Sequence, residues 1–142
     1  MKRVTELMKK KVLNCKDLAY IVYDLYVVKL QAPKLIEIIV KYFNDMNFNE
    51  NDLIHVGDRI ATNFIHQVSY LHGKLNDKKF FRVVQTYSRI RLTTFNKYKL
   101  AKLQDIFKYL EHFEDKELRI LLEKQAEILR EERSDSDDDE RK

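Results

Sequence analysis

Two glycines and one proline in 142 residues constrain this chain more than any other feature. Ordinary usage is about 7% glycine and about 5% proline. Tight hairpins, glycine-rich phosphate loops and β-sandwiches need backbone positions with φ > 0, which glycine supplies at least cost. With glycine only at Gly57 and Gly73, the chain is expected to be nearly all helix. Its single cysteine, Cys15, excludes an internal disulfide and any metal site built from several cysteines. One cysteine also fits a reducing compartment.

The formal net charge of +4 conceals an asymmetry. Residues 131–142 (EERSDSDDDERK) hold seven acids and three bases, a net of −4. The remaining 130 residues therefore carry +8. Nine bases fall between Lys78 and Lys108, where Asp105 is the only acid. Such a stretch suits nucleic acid, an anionic membrane, an acidic protein partner, or simply the solvated back of an amphipathic helix. The basic N-terminus lacks an apolar core of the kind a secretory signal needs. The most apolar window, Leu18 to Val28, is 11 residues long and contains Asp24, whereas a membrane span takes about 20 apolar residues. A soluble intracellular protein is expected, with a helical body over 1–130 and an acidic tail over 131–142.

Helix boundaries are read from caps and periodicity. Asn14 with Asp17 three residues on is an N-cap paired with a carboxylate at N3. Leu18, Ile21, Leu25 and Val28 then form one apolar stripe, and a short helix over Val4 to Val12 would precede it. Pro33 opens a second helix, since proline at the first helical position gives up only an orphan N–H. Leu35, Ile38, Ile39, Tyr42, Phe43 and Met46 mark its buried face, and the asparagine-rich run Asn47 to Asn51 is the following turn. A third helix carries Leu53, Val56, Ile60, Phe64, Val68, Leu71 and Leu75 at unbroken three-four spacing, ending near Gly73 and Asn76-Asp77. A fourth spans about Lys78 to Leu110, roughly 50 Å at 1.5 Å per residue. Its stripe is Phe80, Val83, Val84, Tyr87, Ile90, Phe95 and Tyr98, rotating to Leu103, Ile106, Phe107 and Leu110 after a bend near Thr94 to Lys97. A last helix, Asp115 to about Arg133, holds Leu118, Leu121, Leu122, Ile128 and Leu129. The fold class is all-α, a bundle of four to five long helices with a disordered acidic tail.

No enzyme chemistry is legible. His55, His66, His72 and His112 are spaced 11, 6 and 40 residues apart, not at the i, i+4 interval of helical metal sites. Each reads as an exposed or satisfied helical histidine. Cys15 at a helix start beside Lys16 would have its thiolate somewhat favoured, yet no histidine lies near it in sequence. The pair Glu111 and Glu114 reads as a salt-bridged or solvated face. Metal ions and cofactors are not expected.

Arg91 is the unusual residue. Tyr87 and Phe95 lie four positions either side of it and Val84 and Tyr98 seven, so it projects from the apolar stripe. It must snorkel, stack on tyrosines or find a carboxylate. Three readings stand: an ion pair inside the bundle, an interface arginine awaiting a partner's carboxylate, or a phosphate contact. In the tail, Ser134 and Ser136 are followed by acids, the context of an acid-directed kinase, and phosphorylation would deepen the negative charge. A simple solubilising tail explains the same run.

Two segments resemble a known family. Residues 26–46, YVVKLQAPKLIEIIVKYFNDM, are similar to the "N-E-x-x-A-P-E-L-L" motif and following helix of the SLD-type (Sld-five) subunit of the GINS complex. Residues 80–99, FFRVVQTYSRIRLTTFNKYK, resemble that subunit's long helix, roughly "R-x-x-Y-x-L-x-x-Y-L-R-x-R-L-x-K-I-E-K-Y". The positions that match are Ala32, Pro33, Leu35, Tyr87, Arg89, Arg91, Leu92 and Tyr98, with Phe95 in the same stripe. Lys29 and Leu30 stand where the family has "N-E", and the family's usual small β-rich domain has no counterpart here. The resemblance implies a non-catalytic subunit of a hetero-oligomer, in the nucleus, that joins the MCM motor and its Cdc-type cofactor in the helicase active at replication origins and forks. It implies sister GINS subunits as partners, those matched residues at interfaces or in the structural core, and only indirect or weak DNA contact. From another class, the bases of 78–108 suit a helical nucleic-acid-binding protein.

Overall fold

The computed structural model describes residues 13–28, 31–109 and 116–132. All regular structure in them is helical: α1 Cys15–Val27, α2 Pro33–Asp45, α3 Glu50–Val56, α4 Asp58–His72, α5 Lys78–Arg91, a 3-10 turn Leu92–Thr94, α6 Lys97–Tyr109 and α7 Lys116–Glu132. The all-α class is what the glycine count dictates. The helices are shorter and more numerous than the apolar spacing suggested. The expected helix over Val4 to Val12, the pair Glu111 and Glu114, and the acidic tail with Ser134 and Ser136 lie outside the described residues.

Local signals place the helix starts. Asn14 Oδ1 accepts from the Asp17 N–H at 2.8 Å, and Asp17 Oδ2 accepts from the Asn14 N–H at 2.9 Å, a reciprocal capping box. Pro33 occupies the first turn of α2. Asn49 and Asp52 form a second capping box for α3, and Asp77 caps α5 by accepting from Phe80 N at 2.8 Å. Asn47, in the turn before α3, has φ +56, a conformation asparagine tolerates better than most residues.

Two expected long helices are each divided. Gly57, with φ +99 and ψ 147, separates α3 from α4 in a backbone region that only glycine adopts readily. The three-four spacing from Leu53 to Leu75 runs through this break because both helices turn their apolar residues to one core. The second division falls at Leu92–Asn96. There the Thr94 hydroxyl donates to the Arg91 carbonyl at 2.7 Å, the oxygen that the Phe95 N–H would use in a continuing helix. The Phe95 N–H instead meets Leu92 O at 3.4 Å. Asn96 Oδ1 then accepts from Lys99 N at 2.9 Å and starts α6.

α4 lies at the centre, packed against α1, α2, α3 and α6, while α5 packs on α2 and α3, and α7 packs on α6 and the 3-10 turn. The core includes Leu18, Val22, Phe43, Leu53, Phe64, Phe80, Phe81 and Leu103, all with essentially no exposed surface. Phe43, Phe64 and Phe80 form a ring cluster with centroids 5.2 to 6.2 Å apart, joined by Phe81 at 5.3 Å from Phe80. Edge-on aromatic packing of this kind adds to the area buried. Tyr42 anchors the chain before α1: its hydroxyl accepts from Leu13 N at 3.0 Å and donates to Leu13 O at 2.9 Å.

Several facial assignments change in three dimensions. Ile38, Ile90 and Ile128 are exposed, while Ile36 and Val40 are buried on α2. The stripe expected to carry Tyr98 ends at Phe95, because the Leu92–Asn96 break resets the helical phase and leaves Tyr98 47% exposed.

Candidate functional site

The most concentrated polar chemistry lies where the start of α4 meets the end of α5. Asp58 is the first residue of α4, directly after Gly57, where a carboxylate is favoured by the helix dipole. Tyr87 and Arg91, four apart on α5, present one face to it. Arg91 donates through Nε to Asp58 Oδ1 at 3.1 Å and through Nη2 to Oδ2 at 2.9 Å. The Tyr87 hydroxyl donates to Oδ1 at 2.7 Å. The Thr94 hydroxyl lies 3.1 Å from Oδ2 as well as near the Arg91 carbonyl, and its one proton serves one of them at a time. From within α4, the Thr62 hydroxyl donates to the Asp58 carbonyl at 2.7 Å.

Burial alone would raise the Asp58 pKa, but the hydrogen bonds from Arg91, Tyr87 and Thr94, together with the charge of Arg91, hold it below the ordinary 3.8. The Tyr87 phenol is pushed far above its ordinary value by burial first and by the adjacent carboxylate second. Arg91 is held more firmly protonated by its bonds to Asp58. A carboxylate pulled down beside a phenol pushed up exchanges no proton near neutral pH. The cluster is a charge-assisted latch between helices.

The structure brings together Tyr87, Arg91, Leu92 and Phe95 of the residues singled out by sequence. Tyr87 is buried against Phe95, ring centroids 5.8 Å apart, and Leu92 is half-buried against the core. Arg91 has its carboxylate within the chain. Ala32, Pro33 and Leu35 sit elsewhere: Ala32 precedes α2, Pro33 is exposed and Leu35 is half-buried on the core. α2 meets α5 through its other end, where Asn44 Nδ2 donates to Asp77 Oδ1 at 3.0 Å. Arg89 and Tyr98 face outward. Sequence reasoning missed Asp58 and Thr94. The available signal was an acid placed directly after a glycine within an otherwise apolar run.

Cys15 corrects an expectation. Burial, and then the charge of Asp52, push its thiol up to about 12, so the thiolate is disfavoured. The helix start cannot offset removal from water. His72 Nε2 lies 2.8 Å from Glu37 Oε1, and His66 Nε2 lies 4.0 Å from Asp105 Oδ2. Burial lowers the His66 pKa; nearby Asp105 opposes this and Lys102 adds to it. His55 is exposed, and His112 lies outside the described residues. Among the described residues no three His, Cys, Asp or Glu side chains are grouped to hold a metal ion, and no helix is long and apolar enough to cross a membrane.

On the opposite side of α1 from the core, Tyr20, Tyr23 and Val27 recur at three and four residues, each 50–56% exposed. Next to them Tyr26 packs edge-on against the exposed Tyr70 of α4, centroids 5.6 Å apart.

No protein-family model, no curated protein and no solved structure matches this chain.

Proposed function

We propose that the chain is a non-catalytic assembly subunit of the GINS type, supporting the MCM helicase in replication initiation and fork progression. The reading rests on the resemblance of residues 26–46 and 80–99 to the SLD-type subunit, and the all-helical fold is of the class that resemblance implies. The observation that carries the assembly role is the row Tyr20, Tyr23 and Val27 on α1 with Tyr70 beside it. Large apolar side chains repeated along one outward helix face offer a seat for another helix. In this reading sister GINS-type subunits cover that row, the MCM motor and its Cdc-type cofactor join the assembly, and the complex acts in the nucleus.

Affinity purification of the tagged chain from its native cells tests this. Small helical sister subunits and MCM proteins are expected to co-purify, and Tyr20→Glu with Tyr23→Glu is expected to release them while leaving thermal unfolding unchanged. Recovery of the chain with neither class of protein defeats the reading.

The nucleic-acid reading draws on the bases between Lys78 and Lys108. At least three of these have internal duties: Arg91 holds Asp58, Lys79 Nζ donates to Asn44 O at 2.8 Å and to Asn47 Oδ1 at 3.2 Å, and Lys102 Nζ donates to Asn63 Oδ1. A duplex titration at several salt concentrations decides it, since each neutralised phosphate steepens the dependence by about 0.9 log unit.

A further inference from the structure

One seam of the molecule collects three cations against a single acid on α6, Asp105. Lys102 of α6 reaches across to α4, where its ammonium bonds Asn63 Oδ1. Arg59 lies one helical turn before Asn63 on α4, and Lys99 lies three residues before Lys102 on α6. The Lys102 pKa is lowered from its ordinary value, by burial first and then by the charges of Lys99 and Arg59, each of which lies within electrostatic reach of it. No ion pair joins Arg59, Lys99 or Lys102 to a carboxylate among the described residues. Asp58, the neighbour of Arg59, is engaged by Arg91, while Asp105, further along the seam, lies 4.0 Å from His66.

A second, independent relationship concerns α7. It runs back along α6, so that Ala126, Leu129 and Arg130 face Lys97, Leu100 and Gln104 across a cleft of about 160 Å³. The same helix packs on the 3-10 turn, whose Thr94 touches Asp58, the neighbour of Arg59. α7 ends at Glu132, two residues after Arg130, which lines the cleft with Lys97 at the start of α6. The ten residues that follow include five carboxylates from Asp135 to Glu140.

We propose that the acidic segment Asp135–Glu140 docks back across α6 onto the cationic cluster of Arg59, Lys99 and Lys102, as an intramolecular cover of that surface. Reach is ample. Ten extended residues span about 33 Å, and the flank of α6 that carries Lys99 and Lys102 is one helix diameter, about 10–12 Å, from the flank facing α7. Tethering makes the encounter intramolecular, with an effective concentration of up to about the millimolar range. Charge complementarity selects the site: five carboxylates lie between Asp135 and Glu140, and no ion pair joins the cluster's cations to a carboxylate among the described residues. Phosphorylation of Ser134 and Ser136 would add about 1.5 to 2 negative charges at each and tighten the cover.

The test uses the full chain with Ser136→Cys carrying a nitroxide label; buried Cys15 does not compete for the reagent. At low salt, the amide signals of residues 59, 99 and 102 are expected to weaken about twofold or more relative to the reduced label, as tethered docking demands. They are expected to recover at about 1 M salt, where the Debye length is about 3 Å. They are also expected to recover in the full chain bearing Arg59→Gln, Lys99→Gln and Lys102→Gln. Absence of selective weakening at low salt overturns the proposal, as does weakening that survives the triple substitution. Weakening that persists undiminished when spin-labelled, isotopically silent chain is mixed with unlabelled isotopic chain also overturns it, because the occupant is then the tail of a second copy.

Discussion

The guanidinium of Arg91 grips the carboxylate of Asp58 with two parallel bonds, 3.1 Å from Nε and 2.9 Å from Nη2, across 33 positions of sequence. This pair fixes the end of α5 against the start of α4 at the point where each helix is interrupted by its own local signal. Fork-to-fork geometry is available to arginine and not to lysine, whose ammonium is a point charge. Arg91→Lys is therefore expected to lower the thermal midpoint while keeping the helical circular dichroism. A midpoint equal to that of the native chain would show that the pairing is not what holds this corner.

Tyr87→Phe removes one hydroxyl from a fully buried ring and leaves Asp58 with one bond fewer. Loss of a hydrogen bond to a charged group is expected to cost about 1.5–3 kcal/mol. Chemical denaturation of the two chains at neutral pH measures it. The packing of the ring against Phe95 is retained, so the effect isolates the hydroxyl.

Asp58 titrates below its ordinary 3.8 in the folded chain. A depressed carboxylate contributes stability that is present above 3.8 and is withdrawn as the pH falls through the folded value. Asp58→Asn is expected to be less stable than the native chain at pH 6, with the two stabilities converging progressively below pH 3.8. In Arg91→Ala the Asp58 pKa is expected to move back up, followed by carboxyl carbon chemical shifts.

Gly57 has open space around a would-be Cβ, with nothing within 4 Å, yet its φ of +99 strains any L side chain. Gly57→Ala is expected to cost about 1–3 kcal/mol through the backbone alone. Urea midpoints measure this. An unchanged midpoint would mean that α3 and α4 can be joined in another way.

Cys15 is buried and its thiol is pushed up to about 12. Its alkylation at pH 8 is expected to be slower than that of an unfolded control by roughly three orders of magnitude, following thiolate fraction. Denaturant should restore the full rate, making Cys15 a reporter of opening at the start of α1.

The local grammar of the chain was legible because its causes are local. Asn14 with Asp17, Pro33, the Asn47–Asn51 run and Gly73 act within a few residues, and each lies at or next to a helix boundary; Asp77, read from the sequence as a helix end, caps the start of α5 instead. The embedded position of Arg91 was also readable, since a helix face is a matter of spacing. The two interruptions were harder to read. Gly57 sits between two runs that share one apolar rhythm, and the Thr94 hydroxyl competes for a backbone carbonyl in a way that composition does not reveal.

The sequence by itself determined an all-helical chain, by withholding the glycines that sheets and phosphate loops require, and it determined where α1, α2, α3 and α5 begin. Tertiary structure decided what answers Arg91, which cations gather at Lys102 and which aromatics stay outside. Those outcomes depend on residues such as Asp58, Asn63 and Tyr70 that are distant along the chain and adjacent only after α4 has been enclosed. Local hydrogen bonds and steric limits specify a helix within a turn or two, whereas the partner of a side chain is set by long-range packing, which no spacing rule encodes.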